Sequence, residues 1–146
     1  MSCNFQKAEI RGICVAVPQA SLALSTLADK FGEKNVSKII KSTGISKIRI
    51  ANDNTTTADY CMTAAKNLLE KCHVVAQDVD GIVFVSQTPD YILPATSNLI
   101  QNELGLSKKC VAFDINHGCS GYVYGLFQAS LLIESGACNN VLVCVG

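Results

Sequence analysis

The chain has no tryptophan, and aromatic residues make up only 6 % of its 146 residues. A sequence so poor in aromatic side chains lacks the stacking surfaces that single-stranded nucleic acids require. Charged residues are also few, at 16 %, and twelve basic side chains balance twelve acidic ones. Because no basic cluster stands out, we expect no nucleic-acid partner. The low charge and the 49 % apolar content also exclude a disordered chain and a coiled coil.

Metal-binding patterns are equally scarce. Only two histidines occur, His73 and His117, and no two cysteines stand at C-x-x-C spacing. We therefore predict no metal site. His73 follows a predicted helix, where a cation suits the helix dipole, so we expect it at the surface.

The amino terminus, MSCNFQK, lacks the apolar core of a secretory signal. We therefore expect a cytoplasmic protein whose eight cysteines are reduced thiols. Cys14, Cys110 and Cys144 lie in apolar runs and are predicted to be small, buried hydrophobic side chains.

Residues 115–133 contain no Asp, Glu, Lys or Arg. The length of this stretch would suffice for a membrane span. However, it includes several polar residues and three glycines, and it directly follows a strand-like run. A helix buried on all sides within a larger protein fits better than a membrane span, so we expect no membrane partner.

Apolar runs alternate with amphipathic segments along the chain. Runs rich in branched residues predict strands, and apolar residues at helical spacing predict helices. The alternation predicts an α/β fold with a mixed, mostly parallel sheet flanked by helices. Strands are expected at 8–17, 47–51, 82–85, 110–115 and 141–145, and helices at 21–31, 35–43, 57–72, 95–104 and 119–135.

The final predicted strand, 141–145, is wholly apolar. Such a strand needs helices over both faces, and nothing after it in the sequence can provide that cover. We therefore expect residues 1–146 to be one half of a larger protein.

The stretch Asp114-Ile-Asn-His-Gly-Cys-Ser-Gly-Tyr places Cys119 between a buried strand and the next helix. A tight turn there would lift the thiol out of the sheet edge and aim the helix amino terminus at it. That environment favours a thiolate and offers free backbone N–H groups to an oxyanion. Gly118 and Gly121 would permit close approach of backbone and substrate. The alternative is that Cys119 is one more buried cysteine.

Four segments together resemble one enzyme family. They are STGISKIRIA (42–51), GIVFVSQTPDYILPAT (81–96), LGL (104–106) and AFDINHGCSGYVYGL (112–126). In this order and spacing they are similar to β-ketoacyl-acyl-carrier-protein synthase III, a member of the thiolase-like superfamily. The resemblance covers essentially the whole chain.

The resemblance implies a five-layered αβαβα fold made of two similar halves. Residues 1–146 would form the amino-terminal thiolase-like domain, without its fifth strand and without the second half. The resemblance also implies a homodimer. In it, the loop at Leu93 reaches into the acyl pocket of the partner subunit. An ordinary loop contact is the alternative for Leu93.

The implied reaction has two halves. Cys119 takes an acyl group from an acyl thioester, either acyl-CoA or acyl carrier protein, and then condenses it with a decarboxylating malonyl thioester. These thioesters are substrates, and no cofactor is implied. The family's decarboxylating His and Asn lie in the second half, so the chain alone is expected to be inactive in condensation.

Three further residues are candidates for substrate binding. Thr88 and Tyr122 flank the matched motifs, and His117 stands two residues before Cys119, where the family has a small residue. If both are extended, the His117 and Cys119 side chains share a face. His117 could then be a general base, a pocket-lining residue or a structural histidine.

The chain departs from the family where coenzyme A binds. The family's Trp and Arg correspond here to Lys38 and Ser42, so adenine cannot stack on an indole ring. Either coenzyme A binds differently here, or the acyl donor is a carrier protein or another thioester. We therefore expect a specialised lipid-modifying or secondary-metabolite branch.

Two other functions remain open. One is a cysteine hydrolase on an α/β-hydrolase-like scaffold, although His117 occupies a position where such turns carry glycine. The other is a catalytically incomplete folding or dimerisation module, or a partner of a separate carboxy-terminal half.

Overall fold

A computed structural model describes residues 4–146. Its contacts divide the chain into two compact units: Val17–Thr55, and Thr56–Gly146 together with the segment up to Ala16. Short 3-10 turns occur at Leu24–Leu27 and Ala76–Asp78. The remaining elements are β1 (Ser21–Ala23), α1 (Ala28–Phe31), α2 (Glu33–Thr43), β2 (Lys47–Arg49), α3 (Thr57–Lys71), β3 (Gly81–Val85), α4 (Thr96–Glu103), β4 (Val111–Ile115), α5 (Gly121–Glu134) and β5 (Val141–Val145).

The larger unit is built on a parallel three-stranded sheet in the order β4-β3-β5. The middle strand pairs with both neighbours over its full length, so Val85 lies beside Ile115 on one side and Val145 on the other. This arrangement confirms the α/β prediction with a parallel sheet. It also brings the carboxyl ends of all three strands to one edge.

Successive residues of β3 point to opposite faces of the sheet. Ile82 and Phe84 join a core with Ala65 of α3 and Ile100 of α4. Val85 contacts α5 on the opposite face, since a side chain at Gly121 would collide with it. The sheet therefore lies between α3 and α4 on one face and α5 on the other.

The helix termini follow from local sequence. Thr56 and Asp59 form a reciprocal capping box at the start of α3, in which each side chain accepts the other residue's backbone N–H. Helix α2 ends at Gly44, which adopts a left-handed conformation with φ of 73°. These signals explain why the bounds predicted for both helices lie within two residues of those observed.

The smaller unit differs from the prediction. Residues 21–31 were expected to form one helix, but Ser21–Ala23 pairs antiparallel with Lys47–Arg49 as β1 and β2. Only Ala28–Phe31 is α-helical within that range. The pairing partner lies more than twenty residues away, so a local apolar pattern could not reveal it.

The strand predicted at 8–17 is wrong for this chain. The segment is extended but pairs with no strand among residues 4–146. Its apolar side chains Ile10, Ile13 and Val15 are 62 %, 73 % and 73 % exposed. A branched apolar run becomes a strand only when another strand supplies hydrogen bonds, and none does so here.

The charge-free helix is only partly buried within this chain, and its burial on all sides within a larger protein stays a prediction. One face of α5 packs on the sheet, while Tyr122, Val123 and Tyr124 are 46 %, 66 % and 50 % exposed. Within residues 4–146, no helix is both long enough and apolar enough to cross a membrane. His73 is exposed just beyond α3, as expected.

Candidate active site

Cys119 lies in the turn that joins β4 to α5. The strand ends at Ile115, and the N–H of Gly121 donates to the carbonyl oxygen of Gly118 at 2.7 Å to close the turn. Helix α5 begins at Gly121, two residues later than predicted, so Cys119 precedes it. Cys119 is the one exposed cysteine among those described. The alternative of a buried cysteine is therefore wrong.

The amino end of α5 is open. Ser120 occupies the N-cap position, but its side chain makes no capping hydrogen bond, and the first turn carries no acidic residue. The Gly121 N–H is used to close the turn, whereas the N–H groups of Tyr122 and Val123 make no hydrogen bond within residues 4–146 and are available to an anion. An acyl oxygen that becomes negatively charged beside Cys119 could accept hydrogen bonds from them.

Of the two glycines around Cys119, only Gly121 is required by packing within the chain, because the Gln87 side chain that faces Gly118 is exposed and flexible. A side chain at Gly118 would collide with the Gln87 side chain, and one at Gly121 would come within 2.6 Å of Val85 Cγ1. The turn therefore lies directly against the end of β3. The close approach predicted for these glycines is to the chain's own residues, and approach of a substrate stays a prediction.

His117 is held beside the turn by an aromatic contact. Its ring stacks on Tyr124 with centroids 4.7 Å apart and an interplanar angle of 9°. Its Nδ1 lies 3.5 Å from Ser120 Oγ, the outer limit of a hydrogen bond. This position is compatible with a structural or a pocket-lining role, and the role of general base stays a prediction.

Thr88 and Leu93 lie on the loop between β3 and α4. The Thr88 N–H donates to Ser86 Oγ at 3.0 Å, which fixes the start of the loop. Leu93 stands at the tip, 84 % exposed, before a cis bond to Pro94. Both side chains are therefore free to meet another molecule.

Sequence reasoning did not identify Asp114 as a site residue. Its Oδ2 accepts the N–H of Thr96 and its Oδ1 accepts the N–H of Ser97, each at 2.8 Å. The carboxylate of β4 thus caps the amino end of α4. A lone charge in the apolar run CVAFDI was the available signal, because a charged group among buried residues needs a partner.

Tyr122 lies apart from the other candidates. It lines a cavity of about 280 Å³ between the extended segment 8–14, α5 and β5. None of Cys119, Thr88, Leu93 and His117 lines this cavity. This cavity is therefore not shared by Tyr122 and the other candidates.

Lys38 and Ser42 are both exposed on α2, one turn apart. The Ser42 hydroxyl donates to the carbonyl oxygen of Ile39 at 3.0 Å. Across residues 4–146 no group of three or more His, Cys, Asp or Glu side chains is placed to hold a metal ion.

Two of the buried cysteines have thiols with raised pKa values. Burial, with the nearby Cys138 and Asp80, raises the pKa of the Cys110 thiol to about 11. The pKa of Cys144 lies well above its usual range, because of its contact with Cys61 and its burial. These thiols therefore stay protonated and uncharged at neutral pH. This agrees with the prediction that Cys110 and Cys144 are buried hydrophobic side chains. Cys14 is only half-buried.

Comparison with known proteins gives consistent results. Residues 113–146 match the family model for 3-oxoacyl-[acyl-carrier-protein (ACP)] synthase III. A β-ketoacyl-[acyl-carrier-protein] synthase III of Campylobacter jejuni subsp. doylei is 37 % identical over 94 % of this chain and 42 % of its own length. A relative of the same name, numbered 2, from Halalkalibacterium halodurans is 37 % identical over 96 % of this chain and 42 % of its own.

The fold gives the same result. The crystal structure of a 3-oxoacyl-(acyl-carrier protein) synthase from Burkholderia xenovorans superposes with a TM-score of 0.91 at 37 % identity, covering 95 % of this chain and 40 % of that one. The chain thus spans about two fifths of the length of the curated relatives it matches. In sequence and in fold, the predicted resemblance to 3-oxoacyl-[acyl-carrier-protein] synthase III is confirmed over the part of those relatives that this chain spans.

Proposed function

We propose that Cys119 is the acyl-accepting nucleophile of a 3-oxoacyl-[acyl-carrier-protein] synthase III-type acyltransferase. The observation that carries this proposal is the exposed Cys119 thiol in the turn before the uncapped amino end of α5. A nucleophile must be accessible, and an anion formed beside it must be stabilised. No other cysteine of residues 4–146 is exposed.

In the first half-reaction the Cys119 thiolate attacks the carbonyl carbon of an acyl thioester. The negative charge moves to the carbonyl oxygen, where the N–H groups at the start of α5 can donate to it. The carrier thiolate then leaves with its bonding electrons, and the acyl group stays on Cys119 as a thioester. The covalent intermediate divides one difficult step into two easier ones.

In the second half-reaction a malonyl thioester loses CO₂, and the carbanion attacks the acyl carbon on Cys119. The product is a 3-oxoacyl thioester, and the Cys119 thiolate is released. We assign no residue of this chain to the decarboxylation, since the chain spans about two fifths of its relatives. Acyl carrier protein or coenzyme A would carry the thioesters.

The substrate roles of Thr88, Leu93, His117 and Tyr122 belong to the proposal. Exposure of Leu93 suits a residue that contacts an acyl chain or a second protomer, and a homodimer remains part of the proposal. The position of Tyr122 in a separate cavity makes it the weakest of the four. The cytoplasmic location also stays a prediction.

Intact mass tests the first half-reaction. The chain is incubated with short and medium acyl-CoAs and with acyl-carrier-protein thioesters, beside Cys119→Ala and Cys14→Ala. We expect one acyl adduct on the wild type and on Cys14→Ala, and none on Cys119→Ala. The carrier that gives the adduct identifies the acyl donor.

The same experiment distinguishes the alternative function. If the folded wild-type chain forms no adduct with any donor, then Cys119 does not act as a nucleophile within these residues. The chain would then be a folding or dimerisation module, or the partner of a separately encoded half. An adduct that persists in Cys119→Ala would assign the nucleophile to another residue.

A further inference from the structure

Two aromatic side chains face each other across the turn that carries Cys119. His117 precedes the turn, Tyr124 lies in the first turn of α5, and their rings stack with centroids 4.7 Å apart and an interplanar angle of 9°. Rings at this separation attract each other beyond the effect of the surface that they cover. The stack therefore connects the end of β4 to the start of α5 through side chains.

Each ring belongs to a residue whose backbone is held next to the turn. The His117 N–H donates to the carbonyl oxygen of Ile115, the last residue of β4, at 3.0 Å. The Tyr124 N–H donates to the carbonyl oxygen of Ser120, the residue after Cys119, at 3.2 Å. A different path of the turn would pull the two rings apart, so the stack opposes such a change.

His117 also approaches the residues that directly follow Cys119. A Cβ atom at Gly121 would lie 3.1 Å from His117 Cβ, so the chain passes close to itself at this point. The His117 Nδ1 lies 3.5 Å from Ser120 Oγ. Cys119 therefore lies within a closed loop of the chain, between His117 and the residues that His117 contacts.

The contacts of the His117 ring do not suit a general base. A base must lie within hydrogen-bond reach of the proton that it accepts. Within residues 4–146 no hydrogen bond joins the His117 ring to Cys119 Sγ, and its Nδ1 faces Ser120 Oγ instead. One face of the ring is covered by Tyr124. Stacking is thus the main interaction that this geometry gives to the ring.

We propose that His117 is a positioning residue whose ring, stacked on Tyr124, holds the turn between β4 and α5 in the observed conformation and thereby sets the reactivity of the Cys119 thiol. The juxtaposition that carries the inference is the stacked pair of rings with Cys119 between them in the chain. The inference rests on the proposed function for its acyl substrate, whereas the positioning itself can be tested without an acyl group.

The expected effect follows from the place of Cys119 before an open helix amino end. A helix amino end attracts negative charge, and a thiol reacts as its thiolate. If the turn samples other conformations, the thiol spends less time at the helix end and its reaction slows. Because an aromatic pair is a modest interaction, we expect a loss of about fivefold in rate and not a complete loss.

Five variants separate stacking from acid–base chemistry. His117→Ala and Tyr124→Leu each remove one ring of the pair. His117→Phe and Tyr124→Phe keep both rings and remove only the imidazole or the hydroxyl group. Ser120→Ala is the control for the contact between Nδ1 and the Ser120 hydroxyl. All three residues are exposed, so we expect every variant to fold, and circular dichroism checks this.

Two rates are measured on each folded variant. They are the alkylation of Cys119 by iodoacetamide, followed by peptide mapping, and the acylation of Cys119 by acetyl-CoA, followed by intact mass. Both rates should fall about fivefold in His117→Ala and in Tyr124→Leu. They should stay close to the wild-type rates in the two phenylalanine variants and in Ser120→Ala. The double variant His117→Ala with Tyr124→Leu should be no slower than either single variant, because the same stack is lost in all three.

Nuclear magnetic resonance reports the stack directly. The ring current of Tyr124 should shift the imidazole protons of His117 upfield, and His73, the other histidine of the chain, is the exposed internal reference. The shift should disappear in Tyr124→Leu and persist in Tyr124→Phe. Loss of one histidine signal in His117→Phe assigns the resonances.

Each contrary result overturns part of the proposal. Equal losses of rate in His117→Ala and His117→Phe would show that the imidazole itself is needed, as a general base requires. Wild-type rates in His117→Ala or Tyr124→Leu, or no upfield shift in the wild type, would show that the stack does not hold the turn. If acetyl-CoA does not acylate the wild type, the proposed acyl transfer from this donor fails, while the iodoacetamide rates still decide the positioning role.

Discussion

At the scale of single residues, Cys119 is exposed to solvent while several other cysteines are buried. Cys119 stands in a turn, whereas Cys110, Cys138 and Cys144 are buried in or beside the sheet. Burial raises the pKa of Cys138 as it does that of Cys110. Only the thiolate reacts as a nucleophile. Burial and a raised pKa therefore both lower the reactivity of Cys110 and Cys138.

This contrast predicts site-selective alkylation. At about pH 8, a thiol with a pKa of about 11, such as Cys110, is thiolate in only about one molecule in a thousand. We expect iodoacetamide to modify Cys119 first and to leave Cys110, Cys138 and Cys144 unmodified in the folded chain. Peptide mapping by mass spectrometry measures the order and separates these sites from Cys3, which lies outside the described residues.

The control is the same labelling in concentrated guanidinium chloride, where all cysteines should react at similar rates. Labelling of Cys110 in the folded chain at the rate of Cys119 would contradict the prediction. It would mean that the strand carrying Cys110 opens readily, or that its thiol is not shielded from water.

The sequence was informative about Cys119 and uninformative about what supports it. A cysteine between glycines after an apolar strand has few interpretations. The lone charge of Asp114 in an apolar run indicates that it needs a partner, but only the structure shows that this partner is the start of α4. Its partners are backbone N–H groups, which leave no trace in the order of side chains.

At the scale of elements, α5 approaches the sheet through glycines. Gly125 lies at the middle of the helix, where alanine is normally more favourable by about 1 kcal/mol. Here a side chain would come within 2.9 Å of Val85 Cγ2 and 3.1 Å of Val143 Cγ1. Val85 is 1 % exposed and belongs to the central strand, so displacing it would disrupt the close packing of the core.

We therefore predict that Gly125→Ala destabilises the chain by about 1–3 kcal/mol, against the usual helical preference. Urea unfolding followed by circular dichroism measures the free energy of unfolding. The double variant Val85→Ala with Gly125→Ala should lose less than the sum of the two single variants, because the smaller residue makes room for the new methyl group. A more stable Gly125→Ala would show that helix preference outweighs the contact.

The elements of the sheet were predictable because each carries its own signal. Strand β5 matches its predicted range of 141–145, since a run of Val, Leu and Cys without charge suits a strand buried on both faces. Segment 8–17 is also rich in branched apolar residues, although it carries Glu9 and Arg11, and it forms no strand among the described residues. Composition reports the capacity to pair, whereas pairing depends on which strands lie beside the segment.

At the scale of the whole molecule, Asp80 connects the three strands at the edge of the sheet where they begin. Its backbone carbonyl accepts the N–H of Val111 at the start of β4, at 2.9 Å. Its carboxylate accepts the N–H groups of Asn139 and Asn140 before β5, at 2.9–3.0 Å. One residue at the start of β3 thus links all three strands. Asp114 makes the corresponding link to α4 near the opposite edge.

The charge of Asp80 makes this link depend on pH. Burial alone raises the pKa of the carboxyl group, but the hydrogen bonds from Asn139 and Asn140 together hold it below the ordinary value of 3.8. A depressed pKa means that the folded chain binds the proton less readily than the unfolded chain does. The stabilisation is therefore complete above pH 3.8 and is lost as the pH falls through the lower pKa of the folded state.

We predict that Asp80→Asn lowers the free energy of unfolding by about 1 kcal/mol at about pH 7, a modest value because solvent screens a half-exposed carboxylate. The difference from wild type should shrink as the pH falls below the lowered pKa of the folded state, where Asp80 is protonated in both states. Asp78→Asn is the matched control, since Asp78 contacts Asn140 through its backbone carbonyl and not its carboxylate. If the difference in the free energy of unfolding between wild type and Asp80→Asn stays constant with pH, then the shape of the Asp80 side chain, and not its charge, stabilises the connection between the strands. The edge of the sheet opposite Cys119 would then be insensitive to acid.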